Sequence, residues 1–161
     1  MLKKLSFAIL ILATLASCKS KSAFKYSQNF VQKERSLNTD IESTEDKVGR
    51  YAKLEQFDSI AAAGERMEKL VDEKLKEVKD EPAPDVKEGA NFKAAAIKYF
   101  EFIKSMYTAY KAYGNAKTPE EREEKLTNIR TIVDQKPAVI ADIQTAQKKY
   151  ADANGFKIED K

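Results

Sequence analysis

Histidine and tryptophan are absent from this 161-residue chain, and cysteine occurs once, at Cys18. The lack of histidine excludes histidine-ligated haem, Ser-His-Asp catalysis and most zinc sites, and it removes the commonest general base. A single cysteine cannot form an intramolecular disulfide, so the stability of a folded domain here depends on packing alone. These absences argue against an enzyme, and they predict neither a cofactor nor a bound metal.

Glycine and proline are also scarce, with five glycines and four prolines in the chain. Alanine, glutamate, lysine and leucine are abundant instead, and this balance favours long helices over strands. The formal net charge is +3, and charges of both signs are interspersed along the sequence. Because a nucleic-acid-binding protein needs a concentrated basic face, the sequence predicts no nucleic-acid partner.

An apolar run from Leu5 to Leu15 follows Lys3 and Lys4 near the N-terminus. This run is shorter than the ~20 residues that a membrane-spanning helix needs. A basic start, a short apolar segment and small residues at its end are typical of a secretory signal. The alternatives are a buried N-terminal helix and a plain secretory signal cut after an Ala-x-Ala-like site.

The run Leu15-Ala16-Ser17-Cys18 resembles the lipobox of bacterial lipoproteins at all four positions. The resemblance implies that signal peptidase II recognises Leu15, Ala16 and Ser17 and leaves Cys18 as the new first residue. Acylation, with palmitate as an example, would then consume the only thiol as a thioether and make membrane lipid a partner of Cys18. We therefore expect residues 1–17 to be a cleaved signal peptide, and the loss of two lysines leaves a mature charge near +1.

The mature chain of about 144 residues is long enough for one domain. Residues 18–25 have no apolar period and are predicted to form the lipidated cysteine and a tether. Residues 26–156 are predicted to form a helical domain, followed by a C-terminal tail at 157–161. The sequence contains no Gly-rich phosphate loop and no Asp-rich calcium loop.

The first half of the domain is predicted to form two helices. The first would run from about Tyr26 to Tyr51, with Glu34 and Thr44 interrupting its apolar stripe. The second would end near Lys79, before the proline-containing run 81–85. A single helix over 26–79 would be about 80 Å long, so we expect a hairpin between 50 and 58. Asp58 and Ser59 are the candidate N-caps.

A third helix, from Asn91 to Tyr113, has the broadest apolar stripe in the chain. Its seam consists of Phe92, Ala96, Tyr99, Ile103, Met106, Tyr110 and Tyr113. A stripe this wide faces more than one neighbour and indicates the core helix of a bundle. Gly114-Asn115 is predicted to end the helix with a left-handed cap.

The start of the fourth helix has the clearest boundary signal. Thr118 is the predicted N-cap, Pro119 the first helical residue, and Glu121 the partner in a capping box. Further glutamates at 120, 123 and 124 would compensate the positive end of the helix dipole. This role explains the acidic run better than a metal site does. Pro137 predicts either a kink or a split in this helix. The helix should end near Asn154, with Gly155 as the cap and Phe156 folding back.

Together, four amphipathic segments predict an all-α, up-down-up-down four-helix bundle after a cleaved lipoprotein signal peptide. The closing runs Ala146-Gln147-Lys148-Lys149-Tyr150-Ala151 and Asn154-Gly155-Phe156, together with Phe100 to Tyr110, carry a further resemblance. They resemble a family of bacterial surface lipoproteins from spirochaetes and Bacteroidetes-type bacteria. That family has a helical bundle after the lipobox and no assigned activity, so the resemblance implies location and fold only.

Three functions are compatible with these features. The first is a non-enzymatic lipoprotein whose helical faces contact an envelope or protein partner. The second is a small-ligand carrier whose pocket lies between the helices, and the third is an enzyme built on carboxylates and tyrosines. We expect the first, in the outer membrane and facing the periplasm or the exterior. Lys19, after the cysteine, is not the aspartate that retains some lipoproteins in the inner membrane.

Overall fold

Four helices account for most of residues 18–158, the part of the chain that the computed structural model describes. They are α1 (Cys18–Lys53), α2 (Phe57–Asp80), α3 (Gly89–Asn115) and α4 (Pro119–Ala153). Within residues 18–158 there is no strand. Helices adjacent in sequence pack side by side, which confirms the predicted all-α four-helix bundle.

Helix α1 begins at Cys18, eight residues before the predicted start at Tyr26. The prediction of a tether over 18–25 is therefore wrong. Ala23 is fully buried, and its carbonyl accepts a hydrogen bond of 3.1 Å from the hydroxyl of Tyr150. A short, small side chain on the inner face lets this lysine- and serine-rich segment pack as a helix against the end of α4.

The turn between α1 and α2 covers residues 54–56 and confirms the hairpin predicted between 50 and 58. The predicted caps are wrong, because Gln56 precedes α2 and makes no side-chain capping bond. Instead, Glu55 adopts a left-handed conformation with φ of 53°. The amide of Gln56 then donates to the carbonyl of Tyr51 at 2.9 Å. Backbone bonds thus reverse the chain where the sequence predicted a side-chain cap.

Helices α2 and α3 form the closest packing in the bundle, and glycine makes this approach possible. A Cβ atom on Gly64 would lie 2.6 Å from the backbone nitrogen of Lys111. A Cβ atom on Gly114 would meet the backbone of Phe57 and Ala61. The predicted left-handed cap at Gly114-Asn115 is wrong, since Gly114 lies buried inside α3 and permits close helix contact instead.

The stripe predicted for α3 is confirmed. Six of its seven members are buried and Tyr113 is half-buried, and the helix extends two residues beyond each predicted end, to Gly89 and Asn115. Because apolar and aromatic side chains cover more than one side, α3 packs closely on both α2 and α4. It is the core helix that the sequence indicated.

The predicted N-terminus of α4 is also confirmed. Pro119 is its first residue, and the Glu121 amide donates to the Thr118 hydroxyl oxygen at 3.1 Å. The Thr118 amide donates in return to the Glu121 carboxylate at 3.4 Å, which completes the capping box. This reciprocal pairing satisfies two amide groups that would otherwise lack partners at the start of the helix.

Helix α4 continues through Pro137, so the chain does not split there. A kink of more than 20° at this proline stays a prediction. At the other end, Gly155 adopts φ of 73°, and the amide of buried Phe156 donates to the carbonyl of Ala151 at 3.1 Å. The predicted glycine cap and the fold-back of Phe156 are confirmed.

Candidate functional site

The predicted lipidation motif leads directly into the bundle. Cys18 is the first residue of α1, whereas Leu15, Ala16 and Ser17 lie outside the described residues. The predicted acylation site therefore lies where α1 begins and α4 ends. We call this the basal end of the bundle, formed by residues 18–28, 81–93 and 147–158.

Direct contacts hold the segments of the basal end together. The hydroxyl of Ser20 donates to the carbonyl of Asn154 at 2.7 Å. The side-chain amide of Asn154 donates to the carbonyl of Lys87 at 2.9 Å. The rings of Phe24 and Phe156 meet edge to face with centroids 5.7 Å apart. The start of α1, the α2–α3 connector and the C-terminal segment thus form one packed unit.

Helix α1 extends beyond α2 at this end. Glu81, the residue after α2, accepts hydrogen bonds from Lys33 at 2.7 Å and from Asn29 at 3.0 Å. Burial acts to raise the pKa of Glu81, but the two hydrogen bonds and the positive charges of Lys33 and Lys93 together hold the pKa below its usual range. Residues 18–28 therefore lie beyond this contact, where α1 packs on α4 and the connector.

Aromatic rings fill the interior behind the basal end. Phe92 stacks on Tyr150 with centroids 4.9 Å apart, and Phe30 meets Phe92 edge to face at 5.4 Å. Tyr26 contacts both Phe92 and Tyr150, and burial raises the pKa of Tyr26 to about 12. The Phe92 ring of α3 is therefore packed against rings of α1 and α4, as expected for a core.

A row of polar residues lies inside the bundle along α1. Ser27, Glu34 and Thr44 are buried on α1, and Gln147 is buried on α4. The Gln147 amide donates to the Ser27 hydroxyl oxygen at 3.0 Å. We call these four residues and Glu45 the polar seam. Glu34 and Thr44 were visible in the sequence as interruptions of an apolar stripe, but the polar residues that they meet inside the bundle were not.

Glu34 is the most deeply buried carboxylate of the seam, with only 3% of its surface exposed. The Tyr99 hydroxyl donates to Oε1 at 3.4 Å, and Oε2 has no hydrogen-bond partner among the described residues. Burial raises the pKa of Glu34 to about 7, although the bond from Tyr99 and the charge of Arg35 oppose the rise. The neutral acid is the form that this site favours, because an apolar environment penalises an ionised carboxylate.

Glu45 repeats this arrangement three turns further along α1. The Tyr110 hydroxyl donates to Oε2 at 2.9 Å, the Tyr107 hydroxyl is a second donor, and burial raises the pKa of Glu45. Both carboxylates pair with a tyrosine 65 residues later, which shows that α1 and α3 run parallel in constant register. Glu45 was not predicted from the sequence, although its spacing of eleven residues from Glu34, about three helical turns, places both on one face of α1.

The ionisable groups around the polar seam have shifted pKa values. Burial, followed by the nearby carboxylates, raises the pKa values of Tyr99, Tyr107 and Tyr110, so their hydroxyls stay protonated and act as donors. Lys136 on α4 is half-buried, which lowers its pKa, while the charge of Glu45 opposes this change. Hydrogen bonds from these tyrosines to Glu34 and Glu45 join α3 to α1.

Two other kinds of site have no support in the described part of the chain. Between residues 18 and 158, no three Asp, Glu, Cys or His side chains come together in a way that could hold a metal ion. The helices in that range also include none that is long and apolar enough to cross a membrane. The glutamate run at the start of α4 contributes Glu121 to the capping box.

Comparison of the chain with protein-family models, with curated proteins and with solved structures finds no match. The function is therefore inferred from the lipobox-like motif, the basal end and the polar seam.

Proposed function

We propose that the protein is a bacterial lipoprotein that is cleaved before Cys18, acylated on that cysteine and held in the membrane by the attached lipid. The bundle then acts without catalysis, through contacts of its helical faces with an envelope or protein partner. The observation that carries this proposal is the run Leu15-Ala16-Ser17-Cys18 behind a short apolar segment. The outer membrane, on its periplasmic or exterior face, is the proposed location.

The position of Cys18 in the fold supports this proposal. Cys18 is the first residue of α1, so acylation of this residue would place the lipid at the basal end of the bundle. The hydrogen bonds from Ser20 and Tyr150 join the first turns of α1 to α4. A lipid on Cys18 would therefore hold the whole bundle and not only a loose N-terminal segment.

The surface indicates what kind of protein partner would fit. Leu54, 66% exposed, is the only large apolar side chain that is exposed in residues 18–158. A partner would therefore recognise mainly charged and polar groups of the helices. The alternative of a small-ligand carrier has weaker support, because the aromatic side chains of α3 are packed against one another and against α1.

Metabolic labelling tests the anchor. The full chain, produced in a Gram-negative bacterium supplied with a tagged palmitate analogue, should incorporate the label and partition into a detergent phase. Mass spectrometry should show that the mature chain begins at residue 18. Cys18→Ala should abolish labelling, because it removes the sulfur that forms the thioether.

Ser17→Ala provides the matched control, since it keeps a small residue beside the cleavage point. This variant should be labelled and processed as the parent is. A parent chain that incorporates no palmitate, or a Cys18→Ala variant that is labelled and partitions like the parent, would show that the lipoprotein proposal is wrong.

A further inference from the structure

We infer that the α1–α4 side of the basal end is a docking surface for an anionic lipid bilayer. It is marked by six exposed lysines, which we call the basal lysines: Lys19, Lys21, Lys25, Lys148, Lys149 and Lys157. The inference rests on the proposed function, because the lipid anchor on Cys18 would bring this surface to the membrane. It adds a second contact, between protein charge and lipid headgroups, that the anchor alone does not require.

The basal lysines lie on neighbouring turns of two helices that are bonded to each other. Ala23 and Ser27 occupy the inner side of α1 and are buried, whereas Lys21 and Lys25 point outward and are exposed. On α4, buried Gln147 bonds to Ser27, and buried Tyr150 bonds to the carbonyl of Ala23. The exposed residues between them are Lys148 and Lys149. The lysines of α1 and of α4 therefore surround the same end of the bundle.

The start of α1 at Cys18 keeps these charges close to the membrane. With no tether between the cysteine and the helix, Lys25 lies only about 10 Å along the helix axis from Cys18. This distance is close to the Debye length of about 8 Å at physiological ionic strength, and Lys19 and Lys21 lie nearer. Their attraction to anionic headgroups would therefore be only partly screened.

Charge around the basal lysines is mainly of one sign. Asp152 is the single acidic residue in segments 18–25 and 147–158, so these segments carry a net charge of +5. None of the six basal lysines forms an ion pair with a carboxylate of residues 18–158. By contrast, the connector region 79–93 contains three lysines and four acidic residues. A negative bilayer would attract the α1–α4 side and leave the connector side in solvent.

The far end of the bundle carries charges of both signs, including the basic residues Lys53, Lys117 and Arg122. The start of α4 carries four glutamates, at positions 120, 121, 123 and 124. The molecule thus has a mainly positive surface beside the proposed anchor and a mixture of basic and acidic side chains at the opposite end. Each lysine near an anionic surface strengthens attachment by about fivefold, so several of them would define an orientation of the bundle relative to the membrane.

Lysine reactivity in reconstituted vesicles tests this inference. The mature acylated protein would be placed in vesicles of phosphatidylcholine alone, or of phosphatidylcholine with about one-third phosphatidylglycerol to supply the anionic surface. A membrane-impermeant amine reagent and mass spectrometry would then measure the modification rate of each lysine. We expect Lys21, Lys25 and Lys149 to react about fivefold more slowly in the anionic vesicles, and high salt should remove the difference.

Lysines at the far end are internal controls. Lys53 and Lys117 are exposed there and should react equally in both vesicle types. The double variant Lys21→Glu/Lys25→Glu should lose the protection of Lys149, whereas Lys53→Glu/Lys117→Glu should keep it. Circular dichroism of both variants would verify that the helices are intact.

Flotation separates this inference from the anchor proposal. A protein that floats with both vesicle types, but whose basal lysines react equally in both, would be anchored without docking and would overturn this inference alone. A protein that floats with neither vesicle type would overturn both proposals. Protection that persists in Lys21→Glu/Lys25→Glu would also overturn the docking surface.

Discussion

The α2–α3 contact and the attachment of α1 use different physical means to join helices. Between α2 and α3, Gly64 and Gly114 bring backbones so close that a methyl group would collide with the facing helix. Between α1 and α3, long side chains span the interior, as in the pairs Glu34–Tyr99 and Glu45–Tyr110. Ion pairs also join α2 to α3, as in Lys104–Asp72 and Lys111–Glu68, but these side chains are partly exposed to solvent, whereas the carboxylates of the α1–α3 pairs lie inside the bundle and define a register that an apolar seam would leave free.

This difference has an energetic consequence. Burial of carboxylates costs free energy unless they are protonated or fully hydrogen-bonded, and Glu34 Oε2 has no partner in residues 18–158. The attachment of α1 should therefore weaken as pH rises through 7, whereas the α2–α3 contact should weaken only at low pH, because hydrogen bonds hold the pKa values of Glu68 and Asp72 below their usual range. Because α1 also carries Cys18, the attachment with buried carboxylates links the proposed anchor to the bundle.

The largest expected effect comes from placing a carboxylate in the apolar part of the core. Ile103 is buried in α3, and Ile103→Asp should lower the free energy of unfolding by about 4 kcal/mol because the new charge has no partner. Urea denaturation would measure the loss. Glu34 shows that the bundle accommodates a buried carboxyl group on α1. A small loss of stability for Ile103→Asp would mean that the core around α3 accommodates one equally well, and the two regions would then not differ.

Lys98→Asp is the control for this substitution. Lys98 is exposed on the same helix, and its change should shift stability by less than ~0.5 kcal/mol. Lys98 is a better control position than Lys104 on the same helix, because substitution of Lys104 would also break its ion pair with Asp72. Equal shifts for Ile103→Asp and Lys98→Asp would mean that the stripe of α3 faces solvent.

The next effect concerns the pH dependence that Glu34 confers. The folded-state pKa of about 7 lies above the ordinary value of 4.5, so the folded state binds more protons than the unfolded state between these pH values. The contribution of Glu34 to stability should therefore be greatest below about pH 4.5 and should be lost as pH rises through 7. The loss would be roughly 3 kcal/mol.

Glu34→Gln removes this ionisation and keeps an acceptor for the Tyr99 hydroxyl. The variant should be more stable than the parent at pH 8, and its melting temperature should change less between pH 5 and pH 8. Glu42→Gln, at an exposed site on the same helix, should keep the slope of the parent. An unchanged slope in Glu34→Gln would show that Glu34 is not the titrating group.

The smallest of the three effects tests the close approach of α2 and α3. Gly64→Ala should lower the free energy of unfolding by about 2 kcal/mol, because its Cβ would meet backbone atoms that cannot move aside easily. Gly49 in α1 has nothing within 4 Å of an added Cβ. Gly49→Ala should therefore raise stability by about 0.5–1 kcal/mol through helix propensity. A gain of stability in both variants would contradict the glycine-dependent contact.

The elements that the sequence predicted correctly depend on neighbours along the chain. The capping box of Thr118 and Glu121 joins residues three apart, and the stripe of α3 follows the helical period. The turn between α1 and α2 was placed because one long helix would exceed the size of the domain. The lipobox-like motif from Leu15 to Cys18 is also a local pattern, but the cleavage and the lipidation that it implies stay predictions.

Tertiary structure alone decided the features that join distant residues. Gly114 has the sequence context of a helix cap, but the approach of α2 makes it a contact point inside α3. Residues 18–25 look like a tether by composition, yet Tyr150 and Asn154, more than a hundred residues later, bond to them as helix. The contact between Ser27 and Gln147 could not be predicted from the apolar stripe of either helix, because the register between helices depends on how all the side chains in the core pack together.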